Sequence, residues 1–248
     1  MDLTTHRIVS REEWLSERKR HLVREKELTQ LSDQISADRR ALPWVRIDKD
    51  YLFETRDGRR TLPQLFGTNS QLVIYHFMLA PGQTDGCVGC SFMTDHLEGA
   101  AVHLKHHDVS LILASRAPLT DIEAYKCRMG WEIPWMSANG SDFNFDFQVS
   151  FTPEQVASGT VEYNYQPTKP WGEDAHGLSV FFKDSLGQVF HTYSSYGRGG
   201  DALLGTYTVL DLTPKGRNEV GPNGKLDDWV KRHDEYTRLE EKGSACCG

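Results

Sequence analysis

Two cysteines separated by two residues are the feature of this 248-residue sequence best suited to chemistry. The segment Cys87-Val88-Gly89-Cys90 follows a near-continuous apolar run and precedes a stretch with helical periodicity. A Cys-x-x-Cys pair at the start of a helix suits thiol–disulfide exchange, because the free backbone N–H groups and the helix dipole there stabilise a thiolate. We therefore predict that Cys87 is the nucleophile and that Cys90 is the resolving thiol.

Four further residues are candidates for auxiliary roles. Thr84 and Asp85 precede the pair, and Asp85 could tune a thiol pKa or relay a proton, although a loop turn is the commoner role of such a residue. Cys246 and Cys247 lie on a predicted C-terminal tail, where they could resolve a mixed disulfide or be inert. The fifth cysteine, Cys127, is predicted to be a small core side chain.

A zinc site is the main alternative interpretation of the pair. Structural zinc takes about four ligands, commonly two Cys-x-x-Cys or Cys/His pairs, and the sequence holds one Cys-x-x-Cys. His103 and His107 share a helix face, but a straight helix carries them away from its own N-terminus. We expect no metal and no cofactor, and keep a metal-binding module as an alternative.

Composition bears on the partners and the compartment. The 28 Lys and Arg residues are outnumbered by 35 Asp and Glu, giving a net charge of −7, which offers no general attraction to nucleic acid or anionic membrane. Residues 1–7 lack the apolar stretch of a signal peptide, and no run approaches a membrane span. We therefore expect a cytoplasmic protein without nucleic-acid or membrane partners.

Strands and helices alternate around the pair. Apolar runs and period-two patterns predict strands at residues 71–79, 109–114, 133–136, 178–182 and 188–193. Helical periodicity predicts helices at 91–107 and 118–130, the second ended by Gly130. A parallel unit followed by a hairpin is the layout of the thioredoxin fold, so we predict an α/β protein with a central mixed sheet flanked by helices.

The flanking parts predict an enlarged version of that fold. Residues 10–40 read as a long charged helix capped by Ser10, and a surface helix is favoured over a dimer arm. The division we predict is an N-terminal helical extension at 1–45, the main domain at 46–212 and a C-terminal part at 213–248 with a last helix at 226–241.

An insertion before the last hairpin is predicted at about residues 138–176. Phe143, Phe145, Phe147, Val149 and Phe151 alternate with polar residues and suggest an extended strand, followed by a short helix from 152. Aromatic side chains could wall a pocket for an apolar substrate, although packing is their commoner role. These aromatic residues are Phe143, Phe145, Phe147, Trp135 and Trp171.

The chain resembles bacterial domain-of-unknown-function family 899, whose members are regarded as dithiol–disulfide oxidoreductases of the thioredoxin-like superfamily. The matching segments cover nearly the whole chain and lie at residues 6–14, 86–91, 133–137, 140–144, 190–194, 205–207 and 210–214. The resemblance implies the thioredoxin-like fold and leaves the substrate open.

The order of elements is also similar to that of peroxiredoxins, which place Pro and Thr ahead of their reactive Cys. Pro81, Thr84 and Cys87 echo this pattern, with one residue fewer between Pro and Thr. Arg116 and Arg128 are candidates for the arginine that such an enzyme uses. Thioredoxins have a cis-proline that faces the cysteine pair just before the first strand of the hairpin. The corresponding place in this sequence lies near His176 and Gly177 and holds no proline, so substrate recognition of the ordinary thioredoxin kind is not expected.

The leading hypothesis is a thiol–disulfide oxidoreductase that acts on a disulfide-containing protein or a small thiol or peroxide and is reset by an external thiol reductant. The alternatives are a thiol peroxidase of the peroxiredoxin type, a non-catalytic thioredoxin-fold binding protein, and the metal-binding module. A homodimer is compatible with the sequence.

Overall fold

A single long helix dominates the first of two compact units, residues 1–44 and 45–248. The computed structural model describes residues 6–217 and 228–236. Helix α1 spans Arg11–Arg40, and Ser10 Oγ accepts a hydrogen bond from the Glu13 N–H at 3.1 Å. The predicted start is therefore confirmed. Acidic residues in its first turn and arginines in its last complement the helix dipole.

An eight-stranded mixed sheet forms the framework of the second unit. Its strands are β1 Val45–Arg46, β2 Leu52–Thr55, β3 Gly58–Thr61, β4 Gln71–His76, β5 Val109–Ser115, β6 Trp135–Ser137, β9 Gly177–Lys183 and β10 Val189–Tyr196. They lie in the order β1-β10-β9-β4-β5-β6-β2-β3. A separate antiparallel pair joins β7 (Val161–Tyr163) to β8 (Gln166–Thr168).

The centre of the sheet has the predicted thioredoxin-like topology. Strand β4 pairs in parallel with β5, and β5 with β6. On its other side β4 pairs antiparallel with β9, which forms a hairpin with β10. The α/β fold class is thus confirmed, and β4 lies in the middle with its carboxyl end leading to the cysteine pair.

Seven α-helices have described bounds: α1, given above, α2 Leu62–Leu65, α3 Val88–Lys105, α4 Leu119–Met129, α5 Phe143–Asp146, α6 Pro153–Ala157 and α7 Gly205–Asp211. Short 3-10 helices occur at Gly197–Leu203 and His233–Glu235. Helix α4 ends where predicted, because Gly130 adopts a left-handed conformation at φ 65° that favours glycine.

Successive side chains of β4 enter two apolar cores, one on each face of the sheet. Leu72 and Ile74 face one core, which also contains Phe143 and Phe181. Tyr75 faces the other core, formed with α3 and α4. Because successive strand residues point to opposite faces, Tyr75 lies on the side of the cysteine pair and the next residue, His76, lies on the other.

Three local predictions are wrong. The aromatic stretch 143–151 begins with helix α5, because Phe143 and Phe147 stand four residues apart and face the same core. Over the described residues 228–236 the predicted last helix is replaced by a turn and a 3-10 helix. Cys127 is exposed, because α4 buries the opposite face with Ile122, Tyr125 and Met129.

None of the helices in the described ranges combines the length and apolar character needed to cross a bilayer.

Candidate active site

Cys87 is the N-cap residue of α3, which begins at Val88, three residues before the predicted helix start. Its backbone N–H donates to the Met78 carbonyl at 3.2 Å. Its own carbonyl accepts from Ser91, from the backbone N–H at 2.9 Å and from Oγ at 2.8 Å. These bonds fix the peptide on both sides of the thiol. The sulfur itself accepts from the Cys90 N–H at 3.5 Å.

Gly86 allows the chain to approach the core just before Cys87. A Cβ atom at this position would lie 2.6 Å from ring carbons of both Phe77 and Tyr125. Carbon atoms cannot approach that closely, so only glycine fits without displacing two aromatic rings. The Tyr125 hydroxyl is 2.9 Å from Ser91 Oγ, which links this packing to the first turn of α3.

The surroundings of Cys87 favour its thiolate and lower its pKa to about 6. The largest cause is a hydrogen bond donated by the Cys90 thiol, and partial burial opposes it. The backbone N–H groups of Cys90 and Gly89 and the charge of Arg232 lower the pKa further. At neutral pH, Cys87 is therefore mostly thiolate.

Cys90 is the opposite case. It is 1% exposed, and burial raises the pKa of its thiol well above the ordinary value. The Tyr75 hydroxyl and the Met78 backbone N–H bond to its sulfur and oppose that rise. Because Cys90 stays protonated, it can donate to the Cys87 thiolate. The pair thus has one ionised, partly accessible sulfur and one buried thiol.

Arg232 contacts Gly86, the residue before Cys87, although it lies 146 residues further along the chain. Its Nη2 and Nε donate to the Gly86 carbonyl at 2.7 and 3.1 Å, and its Nη1 donates to Glu235 at 2.7 Å. The guanidinium both holds the residue before Cys87 and supplies a positive charge. Arg232 was not predicted from the sequence, because no local pattern connects it to the cysteines.

The segment 228–236 is fastened to α3 and α4 by ion pairs. Arg128 donates to Asp234 at 2.8 Å and also pairs with Asp85. His233 Nδ1 lies 2.7 Å from Asp95 Oδ1. Arg128 therefore anchors this segment and does not line either cavity at Cys87 among the described residues.

The other predicted arginine, Arg116, also has a structural position. It donates to Asp174 at 2.7 and 3.1 Å and to Glu173 at 3.3 Å. It thereby ties the end of β5 to the insertion. Among the described residues, Arg232 lines a cavity that contains Cys87, whereas Arg116 and Arg128 line neither of the two.

The auxiliary candidates are only partly brought together. Thr84 is exposed, and its hydroxyl donates to Asp85 at 3.4 Å. The Asp85 carboxylate lies at the edge of a cavity containing Cys87, where it pairs with Arg128. Cys246 and Cys247 lie outside the described residues.

Two open cavities meet at Cys87. One, of about 470 Å³, is largely apolar and contains both cysteines. The other, of about 690 Å³, is more polar and contains Asp85 and Arg232. Met78 and Trp171 also border both. His176, at the position compared with the thioredoxin proline, lines the apolar cavity.

The described residues bring together no group of three His, Cys, Asp or Glu side chains suited to a metal ion. His96, on the same helix as the cysteines, is bonded to Thr206 at 2.8 Å. His103 and His107 are exposed.

The family is shown by sequence. The sequence model of a family described as bacterial proteins of unknown function (DUF899) matches residues 3–236. The chain belongs to this family. The resemblance stated from the sequence is therefore confirmed. No curated protein matches the chain.

Solved structures similar to the chain include three peroxiredoxin-type proteins. Peroxiredoxin Q of Xanthomonas campestris is 11% identical with a TM-score of 0.42, covering 64% of this chain and 89% of its own. Peroxidoxin BcpB from Mycobacterium tuberculosis is 15% identical with a TM-score of 0.40, covering 65% and 94%. Peroxiredoxin 6 of Arenicola marina is 13% identical with a TM-score of 0.43, covering 70% and 76%. At such identities the likeness concerns the fold alone.

Proposed function

We propose that the protein is a thiol–disulfide oxidoreductase in which Cys87 attacks and Cys90 resolves. The observation that carries this proposal is the asymmetry of the pair: Cys87 at a helix N-terminus with a pKa of about 6, and Cys90 buried with a raised pKa. An ionised sulfur next to a protonated one is what the two steps of exchange require.

The exchange balances as follows. The Cys87 thiolate attacks one sulfur of a substrate disulfide, which breaks the S–S bond, forms a mixed disulfide and releases the first substrate sulfur as a thiolate. Cys90 attacks the Cys87 sulfur of the mixed disulfide, and the second substrate sulfur leaves as a thiol with the proton that Cys90 gives up. The protein pair is oxidised by two electrons and the substrate disulfide is reduced. An external thiol reductant returns the pair to the dithiol state.

Mass spectrometry of the full-length protein tests this proposal with bis(2-hydroxyethyl) disulfide as the probe. We expect the reduced wild type to form a Cys87–Cys90 disulfide. Cys90→Ser should stop at a mixed disulfide on Cys87, and Cys87→Ser should form neither product at that position. Mapping of peptides separates these from reaction at the exposed Cys127. Equal substrate consumption by Cys87→Ser and wild type would refute the nucleophile assignment.

A thiol peroxidase is the second candidate, favoured by the position of Arg232 beside the thiolate. A cation there could stabilise the charge that moves onto the leaving oxygen when a thiolate attacks a peroxide. The same variants, mixed with hydrogen peroxide, test it, because a peroxidase would form sulfenic acid on Cys87 in the Cys90→Ser variant. The cytoplasmic location and a possible homodimer stay predictions.

A further inference from the structure

Trp171 belongs to the predicted insertion 138–176 and stands between the two cavities that meet at Cys87. We propose that Trp171 and the apolar cavity beside it bind an apolar group next to the disulfide sulfur that Cys87 attacks. The substrates are then disulfides in which a large, uncharged apolar side chain flanks the cysteine. This inference rests on the proposed function and names the substrate class of the same site.

The Trp171 ring is held in place by one well-anchored neighbour. The Tyr163 ring packs edge-on against it, with centroids 5.0 Å apart and planes at 82°. Tyr163 is buried, its hydroxyl donates to the His176 carbonyl at 2.8 Å, and it accepts from the Gly197 N–H at 3.0 Å. The Trp171 ring is therefore supported by a buried tyrosine that hydrogen bonds hold in place.

The backbone that carries Trp171 is also fixed. The Phe151 N–H donates to the Glu173 carbonyl at 2.8 Å, and the Ala175 N–H donates to the Val149 carbonyl at 2.9 Å. The Asp174 carboxylate accepts from Arg116 and from Ser150 Oγ, both at 2.7 Å. A loop held by these bonds loses little conformational freedom when a ligand binds, which favours affinity.

Exposure distinguishes Trp171 from the other aromatic residues of the sequence prediction. Phe143 is 0% exposed and Trp135 is 3% exposed, so both serve packing. Trp171 is 55% exposed and lines both cavities that contain Cys87. Contact with an apolar ligand would remove part of this ring from water, a favourable change.

The chemistry of the apolar cavity matches an uncharged group. Its walls are mainly apolar and aromatic: Met78, Phe92, Met93, Leu204, Tyr207 and Val230. The two charged residues at its edge, Arg198 and Asp201, pair with each other at 3.2 Å, and Asp201 also pairs with Arg217 at 3.1 Å. A volume of about 470 Å³ accommodates a phenylalanine side chain with its neighbouring peptide.

The apolar group takes part in the same thiol–disulfide exchange. One substrate disulfide, the Cys87 thiolate and the Cys90 thiol yield the Cys87–Cys90 disulfide, one substrate thiolate and one substrate thiol. The apolar group forms no bond in this step. It lowers the barrier by holding the attacked sulfur near Cys87.

Two matched peptide disulfides test the inference. The probes are the symmetrical disulfides of Ac-Cys-Phe-NH2 and Ac-Cys-Gly-NH2, and the second-order rate constant for oxidation of the full-length reduced protein is measured at pH 7. We expect the Phe peptide to react about tenfold faster than the Gly peptide with wild type. Trp171→Ala should reduce this ratio to about two, because the rate of the Phe peptide falls further than that of the Gly peptide.

Two further variants control for structural effects. Trp171→Phe keeps an aromatic ring and should retain most of the selectivity. Tyr165→Ala removes an exposed aromatic side chain of the same insertion that lines neither cavity, and should leave the ratio unchanged.

Equal rates for the two peptides with wild type, or an unchanged ratio in Trp171→Ala, would overturn the inference and leave the proposed function standing. If neither peptide nor bis(2-hydroxyethyl) disulfide oxidises Cys87, the proposed function fails and the inference fails with it.

Discussion

At the residue scale, the two sulfurs differ because their surroundings differ by one turn of helix. Cys87 caps the helix and lines both cavities, whereas Cys90 is buried beside Tyr75 and lines only the apolar one. Two backbone N–H groups at the helix start donate to the Cys87 sulfur, whereas burial in the core keeps water away from the Cys90 thiol. At neutral pH the two thiols of the pair therefore differ in their protonation state.

Replacing Arg232 should raise the pKa of Cys87 from about 6 toward its ordinary value, because a positive charge that favours the thiolate is lost. At pH 6, alkylation of Cys87 by iodoacetamide should slow by roughly twofold to fivefold in Arg232→Ala. The measurement is the pH dependence of the alkylation rate, with the modified peptide identified by mass spectrometry.

Arg232→Lys is the matched variant for this prediction. It keeps the positive charge but loses the two hydrogen bonds that the guanidinium donates to the Gly86 carbonyl. A pH profile close to that of wild type would assign the effect to charge, and a profile close to that of Arg232→Ala would assign it to the geometry. An unshifted profile in both variants would show that Arg232 does not act on Cys87.

At the element scale, the central strands carry a buried polar chain on the face opposite the cysteines. His76 Nδ1 lies 3.2 Å from Asn144 Oδ1, and its Nε2 lies 3.0 Å from Ser179 Oγ. Ser179 Oγ lies 2.9 Å from Ser194 Oγ, which lies 2.8 Å from His191 Nε2. These contacts cross β4, β9 and β10 and satisfy polar groups that the core would otherwise leave without partners.

This buried network of hydrogen bonds should make the folding stability fall at acidic pH. Burial lowers the pKa of His76 to about 4, below its ordinary value of 6.5. The unfolded chain therefore binds the proton first, and stability is lost as the pH falls from about 6.5 to about 4. The loss from this residue should reach roughly 3 kcal/mol.

Urea unfolding at pH 7.5, 6 and 5 measures this effect. His76→Gln should lower stability at pH 7.5 and flatten its decline toward pH 5. His103→Gln changes an exposed histidine of α3 and should keep the wild-type pH dependence. The same slope in all three proteins would contradict the assignment to His76.

Elements with a strong local pattern were predictable, and elements decided by distant contacts were not. The apolar run of β4 and the capping of α1 are local, and both were found. Phe143, Phe145 and Phe147 fit a strand period, but α5 forms because Phe143 and Phe147 also fit a helical spacing and the core lies on their side. The cysteine pair follows from spacing, whereas the place of Trp171 depends on how the insertion folds back.

At the scale of the whole molecule, the site is completed by a segment far from the cysteines in sequence. Residues 228–236 place Arg232 at the reactive loop and Val230 in the wall of the apolar cavity. Phe92 of α3 packs against the Trp229 ring with centroids 6.0 Å apart. The apolar contacts and the ion pairs of Arg128 together hold this segment over the start of α3.

A substitution that loosens residues 228–236 should therefore raise the pKa of Cys87 without changing any residue near the cysteine pair in the sequence. Val230 is 7% exposed, and Val230→Asn would bury an amide among apolar groups. We expect faster hydrogen exchange over residues 228–236 and a raised pKa of Cys87. Hydrogen-exchange mass spectrometry and the alkylation profile provide the two readouts.

Lys231→Asn introduces the same side chain at the neighbouring, exposed position and should leave both readouts unchanged. If Val230→Asn accelerated exchange but left the pKa of Cys87 unaltered, the segment would be a structural cover and not a part of the reactive centre.

The grip of Arg232 on the Gly86 carbonyl also sets an order of events during synthesis. A nascent chain that has emerged as far as residue 217 holds both cysteines, β4 and the first turn of α3, but not the guanidinium that completes their surroundings. Because the charge of Arg232 helps to lower the pKa of Cys87, we expect the thiol of such a nascent chain to have a higher pKa than in the full-length protein. The thiolate of Cys87 would then reach its full population only after residue 232 has left the ribosome and bound the Gly86 carbonyl.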